Sequence, residues 1–390
     1  MVKIKNRHHT KLGAPALEPL KILLTSPSFP ADDEDWRSVF ISHMVNALAQ
    51  QEHTQLMVWA PPGKLPHNVE YLCTSKEQKW LTNLMRKGGI ANLLRQGGWQ
   101  AIVSALYLLN LLRILYKHKR EQADVLHVNW LQSAIPLGKG KEPLLVTVLG
   151  SDLKLLELPG IRWILRRVLR NRPSIIAPNA EWMINPLQAQ FGDVAKVRLI
   201  ALGIADTWYS LRRDWQKPKK KWIVVLRLTP AKIGNLFSWG NTLFNQTEHE
   251  LHLFGPMQEK LTIPDWVFYH GPTHPKALQD IWFPQSAGLI SLSQHDEGRP
   301  QVMLEAMASA LPIIASAIPA HQNLLHHKQT GWLCHSQKDF ATAISQLSEP
   351  ECNEAIGRHA RMWVKQNIGT WDDCAHRYLH AYRDLLDRRA

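Results

Sequence analysis

Glu297-Gly298-Arg299-Pro300-Gln301-Val302-Met303-Leu304-Glu305, continuing as Ala306-Met307-Ala308-Ser309-Ala310-Leu311-Pro312-Ile313-Ile314-Ala315, is the stretch on which the fold turns. An apolar run, Leu289-Ile290-Ser291-Leu292, precedes it and predicts a strand. The Gly-Arg-Pro turn then opens a helix, where proline is well placed because its missing N–H would have no intrahelical partner. Glu305 follows Glu297 by about two helical turns. The start of such a helix offers unpaired backbone donors and a positive dipole end to a phosphate. One carboxylate near that phosphate and another deeper along the helix suit a nucleotide-sugar. The first can meet sugar hydroxyls and the second ribose hydroxyls. The plainer reading is a helix whose first glutamate caps it and whose second is solvated.

Working outward, short apolar and β-branched runs alternate with helical stretches, which indicates βαβ units and parallel sheet. Strands are predicted at 21–25, 56–60, 125–129, 144–149, 175–178 and 198–202, with helices at 39–50 and 159–170 among those between. A charged, proline-containing stretch, 211–221, reads as a linker. The pattern then restarts with strands at 222–228, 251–254, 267–270, 288–292 and 313–315, and 339–390 reads as helical. The fold class is therefore α/β, with two doubly wound domains facing a central cleft, and 390 residues suffice for both.

The string from Glu297 to Pro312, in its strand-turn-helix-strand setting, resembles the retaining glycosyltransferases of family 4, marked by Glu-x7-Glu. The resemblance implies the GT-B fold, with two Rossmann-like domains. Residues 1–212 would form the acceptor-side domain, residues 213–368 the nucleotide-sugar domain, and residues 369–390 a helix crossing back to the first. It implies a nucleotide-sugar donor, UDP- or GDP-linked, and a glycan or lipid-linked acceptor, as in surface polysaccharide assembly. Glu297, Arg299, Gly298, Pro300 and Glu305 would contact the donor.

Arg227-Leu228-Thr229-Pro230-Ala231-Lys232 resembles the family's Arg-Leu-x-x-x-Lys stretch, whose cations hold the diphosphate. Charge builds on the leaving oxygens as the sugar–oxygen bond lengthens, so fixed cations aimed there favour the transition state over the ground state. Removing one such contact is expected to cost on the order of 3 kcal/mol in barrier. Two cations and a helix N-terminus can do the work of Mg²⁺, so no metal and no cofactor are expected. The family usually has Lys-Gly, whereas here Ile233 separates Lys232 from Gly234. Gly255 and Gly271, in Leu253-Phe254-Gly255-Pro256 and Tyr269-His270-Gly271-Pro272, would line the base pocket, or serve as tight turns. A front-face route, in which the leaving phosphate accepts the acceptor's proton, needs no protein base. No carboxylate pair of the glycosidase kind is assignable, so Glu297 is expected to act by electrostatics and positioning.

The first domain departs more from the family. Its loop after the first strand carries Asp32-Asp33-Glu34-Asp35 in place of a Gly-Gly turn, and four acids would repel a diphosphate. That loop either contacts acceptor hydroxyls, pairs with Arg37 or is simply solvated. Thr147-Val148-Leu149-Gly150-Ser151-Asp152 resembles the family's Thr-x-His-Gly-x-Asp, with leucine in place of histidine. Asp152, Gly150 and Asn129 are therefore the acceptor-side candidates, and His127 reads more simply as a packed residue.

Net charge is +13. Between positions 79 and 120 stand eight Lys/Arg and no Asp or Glu, interleaved with Trp80, Leu84, Trp99, Ile102 and Leu106. Arg162, Arg166 and Arg170 recur every fourth residue and share a helical face. Such faces suit an anionic membrane surface, or are solvated sides of core helices. No nucleic-acid motif accompanies the charge. The longest apolar run, 101–112, is short for a bilayer span, and the basic N-terminus lacks an apolar leader core. The four cysteines show no metal or disulfide spacing. A cytoplasmic protein, peripheral at the inner membrane face, is expected. A non-catalytic partner with this fold, or another GT-B enzyme such as a nucleotide-sugar epimerase, is the alternative.

Overall fold

A computed structural model describes residues 18–216, 219–295 and 298–388. Glu297, the first carboxylate of the opening stretch, lies outside the described residues, as does Asp296.

Seven parallel strands form the first sheet: β1 (Leu20–Thr25), β2 (Thr54–Trp59), β3 (Val69–Tyr71), β4 (Val125–Asn129), β5 (Leu144–Val148), β6 (Ser174–Pro178) and β7 (Lys196–Val197). Their order is β3-β2-β1-β4-β5-β6-β7. The central strands are mostly apolar because both faces are covered, with polar residues such as His127, Asn129 and Thr147 buried among them. Ile22 and Leu24 of β1 enter one core and Leu23 the other. Helix α1 (Val39–Ala49) covers the first of these faces. Helices α2 (Ser75–Arg86), α3 (Gly89–Gln96), α4 (Trp99–Lys119) and α5 (Ile161–Leu169) cover the second.

The second sheet holds β8 (Lys221–Val225), β9 (Glu250–Phe254), β10 (Val267–Gly271), β11 (Ser286–Ser291), β12 (Ile313–Ser316) and β13 (Trp332–Cys334), ordered β10-β9-β8-β11-β12-β13 and again parallel. Its helices are α6 (Leu236–Phe244), α7 (Gln301–Ala308), α8 (Gln337–Ser348) and α9 (Pro350–Asn367). The alternation recurs: Trp222 and Val224 join α6 and α8, whereas Ile223 joins α7 and α9. The last helix, α10 (Trp371–Asp387), packs on the first sheet beside α1. There Tyr382 Oη and His127 Nδ1 lie 2.6 Å apart, and Tyr378 Oη and Thr147 Oγ1 lie 2.9 Å apart. Burial drives the His127 imidazole down to about 3, so it is a neutral packing residue.

Three sequence expectations shift. The strand expected at 198–202 is a two-residue ladder at β7. Beyond it Arg198 N–H still donates to Ile176 O and Ile200 N–H to Pro178 O, so the chain follows β6 without regular geometry. The expected linker is partly held down, because buried Arg213 donates to Phe283 O and Ser286 O, both at 2.7 Å, and stacks on Trp215. Pro300 is the cap residue before α7 and not its first helical residue.

Candidate active site

In an open parallel sheet the ligand crevice lies beyond the carboxyl ends of the strands, where strand order reverses. In the second sheet that point falls between β8 and β11. The chain leaving β8 carries Arg227 and Lys232, both half-buried. Thr229 caps the short helix Pro230–Ile233, its Oγ1 accepting Lys232 N–H at 3.3 Å. Gly234 ends the turn at φ 54, and a Cβ there would stand 2.0 Å from Leu292 O. Gln294 N–H donates to Ala231 O at 2.8 Å across the same seam. The glycine therefore belongs where this turn presses on the chain leaving β11, which accounts for the Lys-Ile-Gly order.

Gly255 and Gly271 close β9 and β10, joined by a 2.8 Å bond from Gly255 N–H to Gly271 O. Gly255 has φ 127, and a Cβ on it would stand 1.8 Å from Leu226 O, one residue before Arg227. Both glycines thus sit beside the Arg227 turn.

Gly298 is where the two domains meet. A Cβ on it would fall 2.2 Å from Leu149 O and 2.8 Å from Asn179 Oδ1. Its carbonyl accepts the Trp182 indole N–H at 3.0 Å. Arg299 is buried next, its guanidinium brought down to about 10 by desolvation, opposed by Glu181 and assisted by Arg377. Gln301 Nε2 donates to Gly203 O at 2.9 Å, tying the start of α7 to the interdomain crossover. Asn179 Oδ1, Arg299 Nη1 and Gln301 Oε1 are buried without hydrogen-bond partners among the described residues. Such atoms cost about 1–3 kcal/mol each when left unmet, and all three gather around one loop.

Glu305 lies farther along α7, partly buried between Leu304 and Ala306, and desolvation pushes its carboxyl up to about 8. Ahead of it α7 presents Pro300 as cap, with Met303 N–H returning to Pro300 O at 3.2 Å. Under the loop, buried His321 meets the Ser316 carbonyl through Nδ1 at 2.9 Å, and Ser316 Oγ bonds Ser293 O. This support was not legible in the sequence, because Ser316 and Ser293 are distant in the chain.

On the first domain the reversal falls between β1 and β4. Asn129 ends β4 fully buried; its Nδ2 donates to Thr25 O at 3.3 Å, while Oδ1 is unpartnered among the described residues. Trp130 follows at φ 66, a strained conformation for a bulky residue that tends to mark functional sites. Asp152 is buried and accepts three backbone N–H groups, from Leu131 at 3.2 Å, Leu149 at 3.2 Å and Gly150 at 3.0 Å. It clamps the loop leaving β4 to the one leaving β5, with Gly150 at φ 105. Desolvation outweighs those donors and raises its carboxyl to about 6.

The acidic loop divides its charges. Asp35 holds Arg37 through both oxygens, at 2.7 and 2.9 Å, and Asp33 pairs with Lys64 at 2.9 Å. Across the cleft, His274 Nε2 lies 2.7 Å from Asp33 O. Beside the loop a cavity of about 370 Å³ is lined by Asp32, Asp33, Ser42, Asn46, Lys64 and His67. Sequence reasoning missed Ser42, Asn46 and His67 because their only signal is spatial. Among the described residues no group of three His, Cys, Asp or Glu is placed to hold a metal.

Comparison with known proteins places these features. Residues 240–349 match the family model described as "Glycosyl transferases group 1". A 154-residue stretch is 30% identical to Spore coat protein SA of Bacillus subtilis, covering 38% of this chain and 39% of that protein. An uncharacterized glycosyltransferase of Haemophilus influenzae is 25% identical over 277 residues, 70% of each chain. Sucrose-phosphate synthase from Thermosynechococcus elongatus superposes with TM-score 0.68 at 16% identity, over 95% of this chain and 100% of that one. Anabaena HepE, solved in complex with UDP and glucose, does so with TM-score 0.61 at 13% identity, over 94% and 100%. The chain therefore has the two-domain GT-B architecture over nearly its whole length, and its second domain carries the group 1 glycosyl transferase pattern.

Proposed function

We propose that this chain is a metal-independent, retaining glycosyltransferase of family 4. It moves a sugar from a UDP- or GDP-linked donor to a glycan or lipid-linked acceptor in surface polysaccharide assembly, in the cytoplasm. One observation carries the reading: at the switch point of the second sheet, the Arg227–Lys232 turn is pinned to the chain leaving β11, and that chain is pressed on the first domain at Gly298. A ligand there touches two strand ends of one domain and one loop of the other. HepE, a structural neighbour, is described in complex with UDP and glucose, which supports the donor class.

In this reading Arg227, Lys232 and the start of α7 take up charge developing on the leaving diphosphate. Glu305 receives the ribose hydroxyls, Gly255 and Gly271 flank the base, and Glu297 positions the donor sugar. The acceptor enters from the first domain, past Asn129 and the cavity beside the acidic loop, with Asp152 and Gly150 shaping the loops. The leaving phosphate accepts the acceptor's proton.

The test is a panel of UDP-, GDP-, ADP- and TDP-sugars, read by thermal stabilisation and slow donor hydrolysis. Stabilisation by one nucleotide-sugar, with diphosphate release lost in Lys232→Ala, is the expected result. No shift and no turnover with any donor would overturn it in favour of a non-catalytic protein. Conversion of the nucleotide-sugar to an isomeric nucleotide-sugar, with no sugar transferred to an acceptor, would indicate an epimerase.

A further inference from the structure

Helix α4 is apolar on two opposite sides, and the sheet covers only one. Leu108, Leu111, Leu112 and Leu115 face the core. On the outer side Trp99, Ile102, Val103, Leu106 and Tyr107 follow the i, i+3, i+4, i+7, i+8 spacing of a continuous stripe. Trp99 is 76% exposed and Leu106 60%. A helix apolar all round is normally buried all round, so the outer stripe calls for a cover that the described residues do not supply.

The stripe has neighbours. Helices α3, α4 and α5 cover the same face of the first sheet, and α4 and α5 both pack against the turn Ile135–Leu137. Their outer sides therefore look the same way. Leu94 on α3, and Leu158 and Trp163 at the start of α5, add exposed apolar area; Trp163 is 63% exposed. Around this patch stand Lys87, Arg113, Lys117, Arg162 and Arg170, all exposed, and no ion pair takes them up among the described residues. Arg167 lies over the Trp163 ring at 5.5 Å. Arg166, placed by spacing with Arg162 and Arg170, is instead paired with Asp193.

We propose that this face is a docking surface for an anionic lipid bilayer, with α4 lying in the interface plane. Charge decides the occupant. A second copy seated on the same patch would set two basic rims against each other, whereas anionic headgroups would complement the rim. Aromatic residues with one apolar and one polar side suit the headgroup boundary. Helix α4 with the turn after it (Trp99–Gln122) is long and apolar enough to cross a membrane. Crossing would, however, strip Leu108, Leu111, Leu112 and Leu115 from the core of the first domain. The surface is independent of the proposed transfer reaction.

The full chain is tested by flotation with vesicles of phosphatidylcholine alone and of phosphatidylcholine with 30 mol% phosphatidylglycerol, at physiological salt. Binding should appear with the anionic vesicles only. Arg113→Gln/Lys117→Gln should weaken it about fivefold per charge removed. Trp99→Ser/Leu106→Ser should weaken it at least tenfold, with an unchanged circular dichroism spectrum and donor-induced thermal shift. Absence of binding, or equal binding to both vesicle types, would overturn the proposal. So would a dimer, seen by sedimentation, that Leu106→Ser dissociates. A folding defect in the serine pair leaves the glutamine pair, on exposed charges, as the deciding variant.

Discussion

Gly298→Ala isolates the contact between the domains. The φ of Gly298 is not in the left-handed region, so alanine is penalised only by the space it needs. Its Cβ would begin 2.2 Å from Leu149 O and 2.8 Å from Asn179 Oδ1. Neither neighbour yields easily: Leu149 is held through the Asp152 clamp, and its clashing atom is backbone. The loop must retreat by roughly 1 Å, a displacement of the size that costs about 100-fold in rate when reacting groups are misplaced. The Trp182 bond to Gly298 O, at 3.0 Å, would stretch or break, a loss of about 1 kcal/mol. Overpacking adds about 1–3 kcal/mol unless the domains part to relieve it. The Arg227–Lys232 turn contacts the chain at Leu292 and Gln294, upstream of the clash, so nucleotide affinity should change little. Calorimetric titration with the nucleoside diphosphate and a donor-hydrolysis assay should therefore separate: binding within about threefold of the parent, turnover down about 100-fold. Trp182→Phe on top should add less than its own separate effect, because both changes act on one contact. Parent-like turnover in Gly298→Ala would refute the claim that this close approach sets the site.

Other expectations follow from single groups. Glu305 has its carboxyl raised to about 8, so the folded chain keeps a proton that the unfolded chain has lost. The associated stability is complete below about pH 4.5 and is lost as pH rises through 8, on the order of 5 kcal/mol before relaxation. Glu305→Gln should flatten that decline in denaturant titrations between pH 5 and 9, and an unchanged slope would count against it. If ribose hydroxyls donate to the ionised carboxylate, nucleotide binding by the parent releases a proton and tightens as pH rises from 6 to 8. In Glu305→Gln, calorimetry in buffers of different ionisation enthalpy should show no such release. Lys232→Ala should lower turnover by about 100-fold, on the order of 3 kcal/mol of barrier, and a smaller effect on turnover than on donor KM would mean that the cation serves ground-state binding. Asp152→Ala removes the acceptor of three backbone N–H groups and should cost about 2–4 kcal/mol in stability, read by chemical denaturation.

Local pattern was enough for the central strands of both sheets, but not for the short edge strands β3 and β13. Apolar runs such as Leu23-Leu24 and Ile313-Ile314 form strands buried on both faces, and parallel order follows from the helices between them. The restart at Trp222 announces a second sheet because a doubly wound domain must begin again with a strand. Arg227, Lys232, Gly255, Gly271, Gly298 and Glu305 could be named as candidates since each lies at a strand end or on the helix that follows one. Tertiary structure decided what meets them. The bond between Gln294 and Ala231, the pressure of Gly298 on Leu149 and the reach of His274 to Asp33 join residues separated by 63 to 241 positions, and no local periodicity encodes such contacts. The same holds for Asp152, whose carboxylate could be seen in the sequence but not the three amides that occupy it. It holds too for α4, whose sequence suits both a membrane face and a core helix until the sheet is seen to cover one side of it. Secondary structure follows from neighbours in the chain, whereas burial and partnership follow from packing between distant segments.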